Sequence, residues 1–256
     1  MVAEGLLAGR VALVVGGGSG LGLSIVRAYR REGASVAVAD LSPQAAREAA
    51  GPEGCAIAVD VADPGASKAA VEEVVGRFGR LEILVNCAAI CLVDPILEVT
   101  PERWDRVFSV NVRGTFFAMQ AAARVMIPRG FGRIVNVSSP ASRMGFPLFA
   151  SYSAGKAAVE SLSRAAAVAW APHGVTVNTI VPGRMTGGMI DQLEVDLARV
   201  TGKSPDELKA GRTGGLPMGR RVSPDEVAQA AVWFASDAAA YVTAERFNFT
   251  GGMELA

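Results

Sequence analysis

Six short runs, apolar and rich in β-branched residues, recur along the chain at 11–16 (VALVVG), 35–40 (SVAVAD), 55–61 (CAIAVDV), 81–88 (LEILVNCA), 132–139 (GRIVNVSS) and 174–181 (GVTVNTIV). Runs with so few polar positions predict strands covered on both faces. Segments of helical length separate them at 20–32, 65–79, 101–129 and 152–171. This alternation predicts an α/β fold, a doubly wound parallel sheet with right-handed crossovers and helices on both faces. A final short strand is expected over 246–249. No linker, charge block or repeat interrupts the pattern, so residues 1–256 read as a single domain.

Helix starts are well marked. Thr100-Pro101, Ser204-Pro205 and Ser223-Pro224 each place a capping hydroxyl before a proline, and Glu207 and Glu226 complete capping boxes. The rhythm breaks between 184 and 221, where an amphipathic stretch (Ile190, Leu193, Leu197, Val200) precedes a second short helix and a glycine-rich run. An excursion from the carboxyl side of a strand predicts a substrate lid, hinged at Gly183 and Gly214-Gly215. An arm contacting another subunit is the competing reading.

Charge narrows the partners. The chain has 25 basic and 25 acidic residues, well mixed, with no footprint for nucleic acid or an anionic membrane. No apolar run approaches the roughly 18 residues of a membrane span, and the opening MVAEGLLAGR lacks the basic and apolar regions of a signal peptide. Cys55, Cys87 and Cys91 have neither metal-ligand nor disulfide-framework spacing, so they read as structural thiols in a reducing compartment. A cytoplasmic protein with a small-molecule substrate and no metal site is expected.

The stretch VALVVGGGSGLGLSIVRAY (11–29) combines an apolar strand, a glycine turn and an amphipathic helix. Gly16, Gly20 and Gly22 do not satisfy the strict GxGxxG spacing, yet a glycine turn opening a helix suits a pyrophosphate. The second strand ends at Asp40, where a dinucleotide site places the acid that binds ribose hydroxyls. A carboxylate about 4 Å from a 2′-phosphate repels it by roughly 4 kcal/mol per charge pair at an effective dielectric near 20. No Lys or Arg at positions 17–19 offsets this, so NAD is favoured over NADP.

Tyr152 and Lys156 stand four residues apart on one helix face. Together with GGGSGLG (16–22), Asp40, DV (60–61), NCAA (86–89), Asn111, Ser139, YSAGK (152–156), PG (182–183) and TGG (250–252), they make the chain resemble the short-chain dehydrogenase/reductase family over essentially its whole length. The resemblance implies a Rossmann-type fold and an oxidoreductase moving hydride between NAD and a secondary alcohol or ketone. It implies that Tyr152 exchanges a proton with the substrate oxygen, that Lys156 and the oxidised nicotinamide together favour the phenolate, and that Lys156 also binds the nicotinamide ribose. Ser139 would hydrogen-bond the reacting oxygen, and Asn111 would hold a water that relays protons to Lys156. Cofactor contacts would fall on Gly16, Ser19, Gly20, Leu21, Asp40, Leu41, Asp60, Val61, Asn86, Ala88, Tyr152, Lys156, Pro182, Gly183 and Met185. A homotetramer built through 101–127 and 152–171 is implied by analogy.

Some positions depart from the family pattern. Val15 replaces the usual Thr, Cys87 and Ala89 alter the NCAA stretch, Gly155 stands where Ser is common, and Thr186 sits one position before the expected Thr, which is Gly187. A mostly apolar substrate pocket is expected from Ser139, Ala141, Arg143, Met144, Phe146, Tyr152, the 89–94 loop and the lid, with Arg143 the candidate polar anchor. The lid is similar to those of members acting on polyols or acetoin-like diketones. Two other readings stay open at this point: a ketoreductase or dehydrogenase tailoring a cyclic or terpenoid metabolite, and a nucleotide-binding sensor or scaffold without turnover. His173, the one histidine, reads as a turn residue.

Overall fold

The computed structural model describes residues 5–52, 54–187 and 189–254. The chain runs β1 (Val11–Val15), α1 (Gly20–Arg31), β2 (Ser35–Asp40), α2 (Pro43–Ala50), β3 (Cys55–Ala58), α3 (Pro64–Phe78), β4 (Ile83–Asn86), α4 (Pro101–Phe108), α5 (Thr115–Met126), β5 (Gly132–Val137), α6 (Ala150–Trp170), β6 (Val175–Pro182), α7 (Met189–Thr201), α8 (Pro205–Gly214), α9 (Pro224–Ala235) and β7 (Arg246–Phe249). All strand pairs are parallel, in the order β3-β2-β1-β4-β5-β6-β7. The chain winds outward from β1 to β3, then crosses back to lay β4 beside β1. That reversal opens a crevice at the carboxyl ends of β1 and β4, where such sheets bind ligands.

The expected two-sided burial is present. Along β1, Ala12 and Val14 join one core layer with residues of α1 and α9, while Val11, Leu13 and Val15 join the other with residues of α3 and α5. Consecutive side chains of a strand point to opposite faces, so a strand covered on both sides must be apolar throughout.

Three local features differ from the sequence expectation. Helix α2 was not anticipated; Ser42 caps it by accepting the Ala45 N–H at 3.2 Å, and its alanines pack inward. The span 101–129 is not one regular helix, because a π-helical turn over Ser109–Gly114 separates α4 from α5. Strands β3 and β5 stop short, leaving Asp60 and Ser139 each two residues beyond the strand end. Both therefore sit on the loops that face the crevice. The capping boxes at Ser204 and Ser223 form as expected. Among the described residues, no helix is long and apolar enough to cross a membrane.

Leu84 is 0% exposed in the central strand, whereas Leu97 is 96% exposed. Leu84→Ala is expected to lower the unfolding free energy by about 2–5 kcal/mol, and Leu97→Ala by less than about 0.5 kcal/mol. Urea unfolding of the two variants checks this; equal shifts would contradict the core assignment.

Candidate active site

Backbone crowding at the sheet reversal explains the glycine turn. Gly16 has φ +76°, and a Cβ there would stand 2.5 Å from the Ala88 nitrogen, so only glycine lets the ends of β1 and β4 meet. A Cβ on Gly22 would lie 2.0 Å from the Gly16 carbonyl oxygen. Ser19 is the N-cap of α1, yet its side chain caps no backbone N–H. The positive end of α1 thus keeps unpaired donors facing the cleft, the arrangement that suits a phosphate.

Asp40 lines this cleft beside the glycine turn. Its carboxylate accepts the Gly18 N–H at 2.9 Å and the Ser42 N–H at 3.0 Å, which fixes its orientation. The cleft lining brings together Gly16, Ser19, Gly20, Leu21, Asp40, Leu41, Asp60, Val61, Ala88, Ser139, Tyr152, Lys156, Pro182, Gly183 and Met185. Asn86 lies beneath it instead: 5% exposed, it donates to the Asn136 side chain at 2.8 Å and ties β4 to β5 inside the core. Arg106 on α4 and Ile190 on α7 also line the cleft; Ile190 belongs to the amphipathic stretch of the expected lid, whereas Arg106 belongs to no glycine, YxxxK or strand-end motif and has no signal in the sequence.

At the other end, α6 places Tyr152 and Lys156 one turn apart. Lys156 is 3% exposed, its Nζ donates to the Val137 carbonyl at 2.7 Å, and it sits 5.7 Å from the centre of the Tyr152 ring. Burial pulls the Lys156 ammonium down to about 8. Burial also pushes the Tyr152 phenol above its ordinary value, and a hydrogen bond with Ser139 pulls it partly back. Loss of water is the largest influence on this phenol in the cofactor-free chain. The Cys87 and Cys91 thiols are each pushed up to about 12, chiefly by burial. They stay protonated at neutral pH and behave as apolar wall.

A second polar group, not foreseen from sequence, underlies this pair. Glu160, one further turn along α6, accepts from Ser138 at 2.7 Å, from Ser142 at 2.6 Å and from Arg246 at 2.9 Å. Arg246 in turn pairs with Glu254 at 2.5 Å. The flanks of Ser139 are thereby tied to β7 and the end of the described chain. The signal available was a carboxylate four residues after Lys156 on an otherwise inward-facing surface. Asn111, in the π-helical turn, is 1% exposed and clamps Ile90: its amide donates to the Ile90 carbonyl at 2.8 Å and its oxygen accepts the Ile90 N–H at 2.9 Å. Its side chain thus holds the 89–90 loop over the cleft. Irregular turns of this kind frequently mark functional sites.

A second cavity adjoins the first through Ser139, Tyr152, Pro182 and Gly183. Its walls are Cys91, Pro140, Ala141, Phe146, Leu148 and Phe149 on one side and Met189, Ile190, Leu193, Leu197 and Leu208 of α7 and α8 on the other. The α7 and α8 wall of this cavity comes from the 184–221 segment. Arg143 and Met144, expected in this pocket, do not line it; Arg143 is exposed in the turn after Ser139. The cationic lining residues are Arg184 and Arg212. Gly183 is also not built as a free hinge: its N–H donates to the Phe249 carbonyl at 3.0 Å, and a Cβ there would lie 2.9 Å from Thr250. Its glycine serves close packing of β6 on the 250–252 turn. His173 is exposed in a turn remote from both cavities, as expected.

A family model described as enoyl-(acyl carrier protein) reductase matches residues 16–254. The chain is 40% identical over 250 residues to the sorbitol dehydrogenase of Cereibacter sphaeroides, covering 96% of this chain and 98% of that one. It is 38% identical over 247 residues to the galactitol 2-dehydrogenase of Agrobacterium fabrum, covering 95% and 96%. Among solved structures, a short-chain type dehydrogenase/reductase from Mycobacterium marinum superposes with a TM-score of 0.86 at 30% identity over 96% of each chain.

Lys156 gives the site a pH signature. Its ammonium titrates near 8 in the folded chain but near 10.5 when exposed, so between these values the unfolded chain binds the extra proton. Stability therefore rises with pH across that window, by up to about 1.4 kcal/mol per unit. Lys156→Met removes this contribution. In urea unfolding of the cofactor-free protein, the gap between wild type and the variant should move in favour of wild type as pH rises through that window. A gap independent of pH would contradict the burial of this charge.

Proposed function

The chain belongs to the short-chain dehydrogenase/reductase family, and on that premise we propose that it is an NAD-dependent dehydrogenase of secondary alcohols with Tyr152 as its general acid and base. When bound, a nicotinamide cofactor supplies the hydride acceptor or donor, and its oxidised form adds a positive charge that favours the Tyr152 phenolate. In alcohol oxidation Tyr152 takes the proton of the carbinol oxygen; in ketone reduction it returns one. Ser139, which lines both cavities with Tyr152, orients the same oxygen. Lys156 spends one donor on Val137 and keeps two for the ribose and the phenol side of the cleft. Asn111 shapes the route to Lys156 by fixing the Ile90 backbone.

The single observation that carries this reading is the shared wall of the two cavities. Tyr152 and Ser139 line both the cleft suited to a dinucleotide and the apolar pocket beside it. A proton donor at that junction can serve a carbon that exchanges hydride across it.

The choice of NAD rests on Asp40, whose fixed carboxylate faces the glycine loop with no Lys or Arg in that loop to offset it. Three free cysteines support a reducing compartment, which we take to be the cytoplasm. We also infer a homo-oligomer, a tetramer by family analogy. The outer faces of α4, α5 and α6 support it, with Trp104 stacked on Phe108 at 4.7 Å, a groove lined by Phe116, Phe117 and Leu162, and Val168 75% exposed.

Turnover is read by NADH absorbance on a panel of secondary alcohols that includes sorbitol, galactitol and 2,3-butanediol. Tyr152→Phe is expected to lower kcat by about 10²–10⁴-fold while NADH still binds by fluorescence; undiminished turnover would remove Tyr152 from the chemistry. Asp40→Ala is expected to raise kcat/KM for NADP relative to NAD by on the order of 100-fold, the repulsion of one carboxylate partly screened. An unchanged ratio would show that the preference arises elsewhere. Val168→Glu should shift the protein to smaller species in size-exclusion chromatography, and an unshifted profile would place the interface on another face.

A further inference from the structure

The substrate pocket is lined by two guanidiniums, Arg184 and Arg212, that share the nearby Glu194 carboxylate with a third arginine, Arg221. Arg212 lies near the end of α8, and its Nη1 is buried with no hydrogen-bond partner among the described residues. Arg184 donates to the Arg212 carbonyl, so the two are held together. Two acids of α7 are engaged by other arginines. Glu194, 5% exposed, pairs with Arg221, and Asp196 faces Arg199 at 3.9 Å. Arg221 is further held by the Thr213 hydroxyl, which it reaches at 3.0 Å. Burial pushes the Arg212 pKa down and the Arg184 charge adds to this, with Glu194 opposing them in part.

A guanidinium donor shut away from water without an acceptor is costly, and a bound acceptor recovers that cost. The matching acceptor is a carboxylate, whose two oxygens meet the planar fork of an arginine. The same pocket, which also holds Tyr152, is otherwise walled largely by apolar side chains, among them Leu148, Phe149, Leu193, Leu197 and Leu208. We propose that Arg212, assisted by Arg184, forms a carboxylate subsite, and that the preferred substrate is a hydroxy acid whose carbinol and carboxylate are separated by a short apolar chain. The proposal rests on the dehydrogenase reading above and specifies its substrate class. A polyol tail would leave its hydroxyls against leucines, and a neutral chain would leave the Arg212 donor unpaired.

The test compares kcat/KM with NAD for 3-hydroxybutanoate, 4-hydroxypentanoate and 5-hydroxyhexanoate with that for their methyl esters, in wild type, Arg212→Gln and Arg212→Lys. At the best chain length the acid should exceed its ester by about 10- to 100-fold. Arg212→Gln should bring that ratio close to one, mainly through KM, and Arg212→Lys should retain part of it. The ratio cancels any general loss of folded enzyme. Esters equal to or better than acids at every length, or a ratio unmoved by Arg212→Gln, would overturn the subsite. Neutral 2-hexanol and 2,3-butanediol separate the two levels: if Tyr152-dependent turnover is seen with them and acids show no advantage, only the subsite falls. If no alcohol or acid shows Tyr152-dependent turnover, the dehydrogenase reading fails and takes the subsite with it.

Discussion

The burial of the Lys156 ammonium is the constraint from which the rest of the site follows. A charged group removed from water is costly unless hydrogen-bonded, and this one is 3% exposed with a single protein acceptor, the Val137 carbonyl. β5 must therefore end, and α6 must pass, in one fixed relation. Tyr152 one turn earlier and Glu160 one turn later inherit that relation, because residues four apart share a helix face. Glu160 then carries it outward through Ser138, Ser142 and Arg246 to β7. The proton-transfer residues are thus held by the last strand of the sheet as well as by their own helix.

Much of this was legible in the sequence because its causes are local. Strand alternation, the glycine turn, Asp40 at a strand end and the Tyr152–Lys156 spacing each follow from periodicity or backbone sterics, and the structure gathers them at one crevice. What was not legible depends on which distant segments meet. Asn86 belongs to a motif but turns into the core, where its Nδ2 donates to the Asn136 side chain. Asn111 lies in a π-helical turn that no residue pattern announces. The pocket cation was sought at Arg143, near Ser139 in sequence, and found at Arg212, more than fifty residues downstream of Tyr152 and returned to it by α8. Helix α2 was missed because its alanine-rich stretch lacks an apolar stripe strong enough to stand out beside two strands.

The 184–221 segment holds two kinds of charge. Glu194 and Arg221 are both 6% exposed at the side chain and pair with each other, which ties α7 to the chain that follows α8. The leucines of α7 and α8 line the cavity together with Arg184 and Arg212. The pocket thus combines the Ser139 and Tyr152 hydroxyls, an apolar wall and two guanidiniums.

The cysteines beside Lys156 bear on the same balance. Where relatives of this pattern usually place an asparagine, this chain has Cys87, and Cys91 lies one loop further on. An amide oxygen can accept a hydrogen bond from an ammonium; a thiol that stays protonated to about 12 offers neither a comparable acceptor nor a charge at neutral pH. Burial remains the largest influence on Lys156 and draws its ammonium down to about 8, with the Glu160 carboxylate among the groups that oppose it. The bond to the Val137 carbonyl and the Glu160 charge are thus what the site sets against the loss of water around this cation beside the Tyr152 ring.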